Sequence, residues 1–203
     1  MPAVRPRAYA VGPLLALAAI AVLDLARAAR DWPVPVVGLL DEPAHLLTAW
    51  IALAAVTSRT TALRTLPWVL AGAVLIDLDH VPLYLGLDVT ADGGGRPVTH
   101  SLVVPAVLVV LAGVRRWRTP LLGLAAGVAL HLLRDLATGP GVSLFWPVEA
   151  GHVRLPYGAC AALLAGLALL GAGRRALQRP SRRRSSGRLK RGQSQSAQSL
   201  PAR

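Results

Sequence analysis

PVVGLLDEPAHLLTAWIALAAVT, residues 35–57, decides the fold. Crossing the apolar core of a bilayer takes about 20 residues in a helix, and this stretch is long enough. Its apolar positions are mostly Ala, Leu and Val, yet it carries Asp41, Glu42 and His45. Ionisable groups inside an apolar segment are costly to bury, and they persist where they bind or transport something. The same mixture recurs at Asp77-Leu78-Asp79-His80, at Thr99-His100-Ser101 and at His131-Leu132-Leu133-Arg134-Asp135.

Working outward, six apolar segments can be marked, roughly over residues 8–26, 35–57, 65–86, 101–114, 119–138 and 156–173. They predict an all-α, polytopic membrane bundle of about six transmembrane helices. The fourth is short and would cross only if extended through Pro97, or would stay tilted or partly re-entrant. Residues 8–26 follow Arg5 and Arg7 like a signal peptide. They exceed the usual apolar core of one and lack a clear cleavage site, so an uncleaved anchor is expected.

Composition supports the membrane class. Of 203 residues, 54% are hydrophobic, only 16% are charged, and 19 are glycine. Soluble domains carry roughly 25% charge, and small residues let helices pack closely in lipid. Cys160 is the single cysteine, which excludes an intrachain disulfide and a cysteine-based zinc knuckle.

The net charge of +12 is not spread evenly. Ten Lys/Arg and no acid lie from Arg174 to Arg203, whereas the preceding residues carry twelve Arg against ten Asp/Glu. The chain thus divides into a helical membrane domain, 1–173, carrying the metal site, and a disordered basic tail, 174–203. The tail lacks aromatic interleaving, and no specific nucleic-acid binding is expected. No glycine-rich phosphate loop or Gly-x-Ser-x-Gly elbow occurs.

Loop charge predicts orientation. Arg5 and Arg7, Arg59 and Arg64, Arg115, Arg116 and Arg118, and the tail share one side of a six-span chain. Arg27, Arg30 and Asp31, then Asp88, Asp92 and Arg96, then Glu149 and Arg154 share the other. The positive-inside rule places both termini of a multi-pass cell-membrane protein in the cytoplasm. Asp41, His45, Asp77, Asp79, His80, His100, His131 and Asp135 then all fall at the outer end of the bundle.

Those eight residues are the expected metal ligands. Asp41 with His45, and His131 with Asp135, are four apart and share a helical face. Asp77 and His80 are three apart. Asp79 points about 160° from Asp77 on a regular helix, so either the helix ends before Pro82 or one carboxylate orients the other's ion. The imidazoles favour zinc, manganese or iron over magnesium or calcium. So many ligands imply two or more divalent ions, able to clamp a phosphoryl group. Asp79 could orient the attacking water. Arg134, a catalytic and substrate-binding candidate, and Arg154, a second anion contact, could hold phosphate. Arg134 could equally only offset nearby carboxylates. His152 lacks a close acidic partner and stays outside the set. Asp24 is explained by snorkelling or by pairing with Arg27 or Arg30. The rival to a hydrolase is a non-catalytic metal-binding protein or an ion transporter.

The ordered motifs resemble a family of bacterial inner-membrane metal-dependent hydrolases described as LexA-binding. The resemblance rests on Glu42–Leu47 around His45, Asp77-Leu78-Asp79-His80 with Pro82, and Arg96-Pro97-Val98-Thr99-His100-Ser101-Leu102. It continues through His131–Thr138 and Gly141–Pro147 to Arg154-Leu155-Pro156, covering roughly residues 40–156. Where the family usually carries His-Arg-Gly before Thr-His-Ser, this chain has Gly95-Arg96-Pro97. More distantly the pattern is similar to zinc-dependent phospholipase C and related single-strand nucleases, which are helical and carry clustered zinc. That likeness implies a multi-zinc site at His45, Asp79, His100, His131 and Asp135, and hydrolysis of a phosphoester on a lipid or envelope-associated substrate.

Overall fold

The computed structural model describes residues 6–85, 87 and 96–177. Helix α1 runs Pro6–Ala28, α2 Val34–Val56 and α3 Arg59–Leu75. A 3-10 turn, Ile76–His80, continues α3 into the short α4, Val81–Tyr84. Then follow α5, Val103–Leu111, and α6, Arg118–Asp135, joined through a 3-10 turn at Arg115–Trp117, and α7, Tyr157–Leu177. The all-α expectation holds among the described residues, whose β features are isolated bridge residues, Val142 and Val153 pairing with each other.

Among the described residues, the expectation of six spans is corrected to four. Val11–Ala28, Pro35–Val56, Thr60–His80 and Tyr157–Leu177 are long and apolar enough to cross a membrane. Helix α5 has nine residues; at 1.5 Å per residue it is far too short for a core about 30 Å thick. Helix α6 begins at Arg118 and ends on His131, Arg134 and Asp135. It packs on α2, α3 and α5, while α1 packs on α2 and α7. The outer helices are apolar outward: Leu15, Val22, Leu25, Val110 and Leu169 are all more than half exposed. An apolar exterior around a polar interior is what a bilayer favours.

Local chemistry shapes the ends. Ser58 caps α3 by accepting from the Thr61 amide. Helix α7 continues to Leu177, so Arg174 and Arg175 belong to it rather than to the tail. The Arg174 side chain donates to the Ala55 carbonyl at the end of α2 at 2.7 Å, filling an acceptor that the helix leaves open. Arg175 lies over the Trp50 ring. The remaining tail, residues 178–203, lies outside the described residues, as do Asp88 and Asp92.

Helices α3 and α6 meet backbone to backbone. A Cβ on Gly72 would stand 2.3 Å from the Leu124 carbonyl oxygen, and one on Gly127 only 2.1 Å from that of Val69. Gly123 and Gly127 form a Gly-x-x-x-Gly face, which permits this approach in lipid. The close contact brings the end of α6 against α3 and so sets the geometry of the site.

Candidate metal centre

The C-terminal ends of α1, α3 and α6 and the N-terminal parts of α2 and α7 lie at one end of the bundle. Arg64, Arg115, Arg116, Arg118, Arg174 and Arg175 sit toward the other ends of their helices. Two groups of ligand atoms form at the polar end: Asp77, Asp79, His80 and His100, and His45, His131 and Asp135. Within each, the ligand atoms lie within 4.8 Å of one another.

The 3-10 turn resolves the disagreement between Asp77 and Asp79. Tightening the chain before Pro82 lets both carboxylates reach one imidazole. Asp77 Oδ1 lies 3.0 Å from His100 Nε2, and Asp79 Oδ2 lies 3.1 Å from His100 Nδ1. His80 Nδ1 approaches the same two carboxylates at 3.3 and 3.1 Å. Thr99 donates to Asp79 Oδ2 and fixes that carboxylate from its outer side.

The second group is built on α6. His131 Nδ1 lies 2.8 Å from the Ala73 carbonyl oxygen, to which it donates. This bond is possible because α3 and α6 touch through glycine. It leaves Nε2 as the lone-pair nitrogen turned into the site, the arrangement by which proteins orient a metal-binding histidine. Nε2 lies 3.2 Å from Asp135 Oδ2 and 3.4 Å from Asp77 Oδ1, yet makes no hydrogen bond. His45 stacks on His131 with ring centroids 3.8 Å apart, and its Nε2 is 3.5 Å from Asp135 Oδ1. The groups adjoin: Asp77 reaches into the second, and Asp135 Oδ2 stands 3.7 Å from His100 Nε2.

His45, His100, His131 and Asp135 are nearly fully buried, at 2, 0, 1 and 3% exposure. Asp77, Asp79 and His80 are half-buried at the rim. Buried polar atoms normally find partners, so an orphaned His131 Nε2 among carboxylates fits a cation. The mixed imidazole and carboxylate donors suit zinc or a similar ion.

The structure brings together every expected ligand except Asp41. That carboxylate faces Arg134 at 3.2 Å, His45 at 3.8 Å and Arg27 at 3.8 Å. Arg134 is 2% exposed. It forks onto both oxygens of Asp24, which also accepts from the Tyr157 hydroxyl at 2.8 Å. Asp24 thus pairs with Arg134 and Tyr157, in place of the expected Arg27 or Arg30. Arg154 donates to the Gly139 carbonyl at 2.7 Å. It lies against Gly141, whose φ of +97° and contact with the Val153 carbonyl admit no side chain. His152 is exposed on the same loop.

Two residues escaped the sequence reading. Arg96 donates to Asp135 Oδ2; its position before the His100 motif was the only hint. Glu42 Oε2 is buried without a hydrogen-bond partner. The three-residue spacing from Glu42 to His45 was the available signal.

A membrane-embedded helical protein with two adjoining candidate metal-binding clusters is therefore the class that fold and site define. The pattern of one family, described as YdjM inner membrane protein, matches residues 40–189. The chain belongs to that inner-membrane family. No curated protein and no solved structure matches it.

Proposed function

We propose that this protein is a membrane-embedded metal-dependent hydrolase acting on a phosphoester, on a lipid or envelope-associated substrate. The observation that carries the reading is the orphaned, buried Nε2 of His131, held toward two carboxylates by the Ala73 carbonyl. The resemblance of the ordered motifs to membrane-bound metal-dependent hydrolases supports it.

His45, His131 and Asp135 would hold one ion, and Asp77, Asp79, His80 and His100 another, with zinc the preferred metal. When bound, such ions supply Lewis-acid charge where negative charge grows on a phosphoester. The chain's own groups prepare the place. Ala73 sets the His131 tautomer, Thr99 and His100 aim Asp79, and Arg96 holds Asp135. Burial of three imidazoles keeps bulk water from the inner side, while the half-buried Asp77–His80 turn forms the open side. Asp79, at that opening, is the residue assigned to orient an attacking water. Arg134 and Arg154 are kept as the phosphate contacts, and Arg96, on Asp135, is a third guanidinium at the site.

The basic ends of the helices lie opposite the site. With the positive-inside rule this favours cytoplasmic termini and a site near the outer face. Reporter fusions at Arg203 test that assignment, and an external signal would reverse it.

Metal analysis of detergent-purified protein, followed by turnover on lipid and soluble phosphoesters with and without chelator, tests the enzyme. Chelator-sensitive turnover that His131→Ala abolishes is expected. Metal-dependent ion uptake into proteoliposomes, without turnover on any ester, would replace this reading with a transporter.

A further inference from the structure

A cavity of about 590 Å³ opens beside the ligand clusters rather than over them. It lies between the end of α1, the turn into α2, the segment after α6 and the start of α7. Its apolar lining includes Leu25, Val37 and Ala137, and its polar lining includes Arg27, Arg30 and Asp31. Trp32 and Tyr157 complete it.

The walls are set in advance. Trp32 Nε1 donates to the Ala26 carbonyl at 2.8 Å, folding the indole back over the end of α1. Arg30 stacks on that indole at 3.6 Å from the ring centre. Asp24, at the base, has its charge met by Arg134 and Tyr157. Arg27 has Asp41 at 3.8 Å, the outer limit of an ion pair. Two guanidinium groups, Arg27 and Arg30, therefore line the cavity with two carboxylates, Asp24, which Arg134 holds, and Asp31.

We propose that this cavity binds the phosphate-bearing headgroup of a membrane lipid, with Arg27 and Arg30 on the phosphate and the apolar wall against the glycerol and first chain carbons. Volume decides between a lipid and a free anion. A phosphate ion fills only a small part of 590 Å³, whereas pockets of roughly 300–1,000 Å³ take organic ligands with mostly apolar contact. Guanidinium groups fork onto phosphate oxygens, and aromatic residues mark the level where headgroups lie. The base of the cavity adjoins the metal centre through one layer of charges, because Arg134 holds Asp24 on one side and Asp41, the neighbour of His45, on the other. As the seat of a substrate for that centre the cavity rests on the hydrolase reading; as a lipid site it requires no turnover.

The test is binding to chelator-treated, full-length protein in neutral detergent, measured by titration calorimetry. The probes are dihexanoyl phosphatidylglycerol, dihexanoylglycerol and inorganic phosphate. Phosphatidylglycerol is expected to bind at least about tenfold tighter than either other probe, the worth of one charge-assisted hydrogen bond. The double variant Arg27→Gln, Arg30→Gln should lose roughly that tenfold and keep its affinity for dihexanoylglycerol, which also reports an intact fold. Arg30→Gln alone, at the exposed end of α1, should lose part of it. Equal affinity for dihexanoylglycerol, equal affinity for inorganic phosphate, or indifference to both arginine variants would each overturn the proposal. Arginine-dependent lipid binding without hydrolysis would refute the enzyme and leave this site standing. Hydrolysis with arginine-independent binding would do the reverse.

Discussion

Two buried polar networks lie side by side at one end of this bundle, and they are finished to different degrees. Arg134, Asp24, Tyr157 and Asp41 answer one another: a forked guanidinium, a phenol and two carboxylates, one residue from each of α6, α1, α7 and α2. The imidazole cluster next to it leaves His131 Nε2 and His45 Nδ1 buried without hydrogen bonds. Nature tolerates either network in an apolar surrounding only if its charges are met. The first meets its charges internally and ties helices together, with Arg134 Nε its one atom left without a hydrogen bond. The second keeps donor atoms in reserve, and that is the mark of a place made for something else.

The comparison breaks first at Arg134. Arg134→Met leaves Asp24 without its guanidinium and Asp41 with only Arg27 at 3.8 Å, and breaking such a pair costs about 3–5 kcal/mol. A large drop in the melting temperature of the detergent-solubilised protein is expected, with metal stoichiometry kept in the folded fraction. Adding Asp24→Asn should recover much of the loss. Metal that vanishes while stability holds would show that Arg134 serves the site rather than the scaffold.

Asp135→Asn makes the opposite cut. It preserves volume but removes the carboxylate that His45, His131 and His100 share. Metal affinity should fall by more than about 100-fold, near 2.7 kcal/mol, measured by competition with a chromophoric chelator. Unchanged occupancy would remove Asp135 from the ligand set. Affinity should also decline as pH falls, because imidazoles and carboxylates bind metal only when deprotonated.

Gly127→Ala probes the packing beneath both networks. Its methyl group would meet the Val69 carbonyl and force α3 from α6, at about 1–3 kcal/mol for overpacking. As the helices part, His131 loses Ala73, and metal affinity should drop by roughly tenfold. Lost stability with unaltered metal binding would uncouple the glycine contact from the site. The smallest effect belongs to Thr99→Val. It removes one hydrogen bond to Asp79, about 0.5–1.5 kcal/mol, seen as a several-fold weaker second metal equivalent.

Much of this was written in local sequence. Carboxylates and imidazoles at helical spacing inside apolar runs announce themselves, and loop charge sorts them to one end of the chain's helices. The number of spans was less legible. Residues 119–138 look like a span by length, but α6 starts at Arg118 and ends in the buried Arg134 and Asp135. The Arg134–Asp24 and Tyr157–Asp24 contacts join residues 110 and 133 positions apart. No periodicity reports such pairings, since they arise only when four helices converge. Arg96 escaped for a related reason: a base beside an apolar segment reads as loop charge until the fold sets it on Asp135.

The glycine contact between α3 and α6 has a mechanical consequence. Asp77, Asp79 and His80 of the first group project from the turn that ends α3, and His131 and Asp135 from the end of α6. Backbones pressed together through Gly72 and Gly127 have no side chains to slide over one another, so the two helices behave as one stiff frame. The spacing between the ligand groups is then nearly invariant, like the gap of a fixed caliper. Freedom to admit and release material is left to the parts that lean on this frame, the strand of chain around His100 and helix α2 with its Pro43.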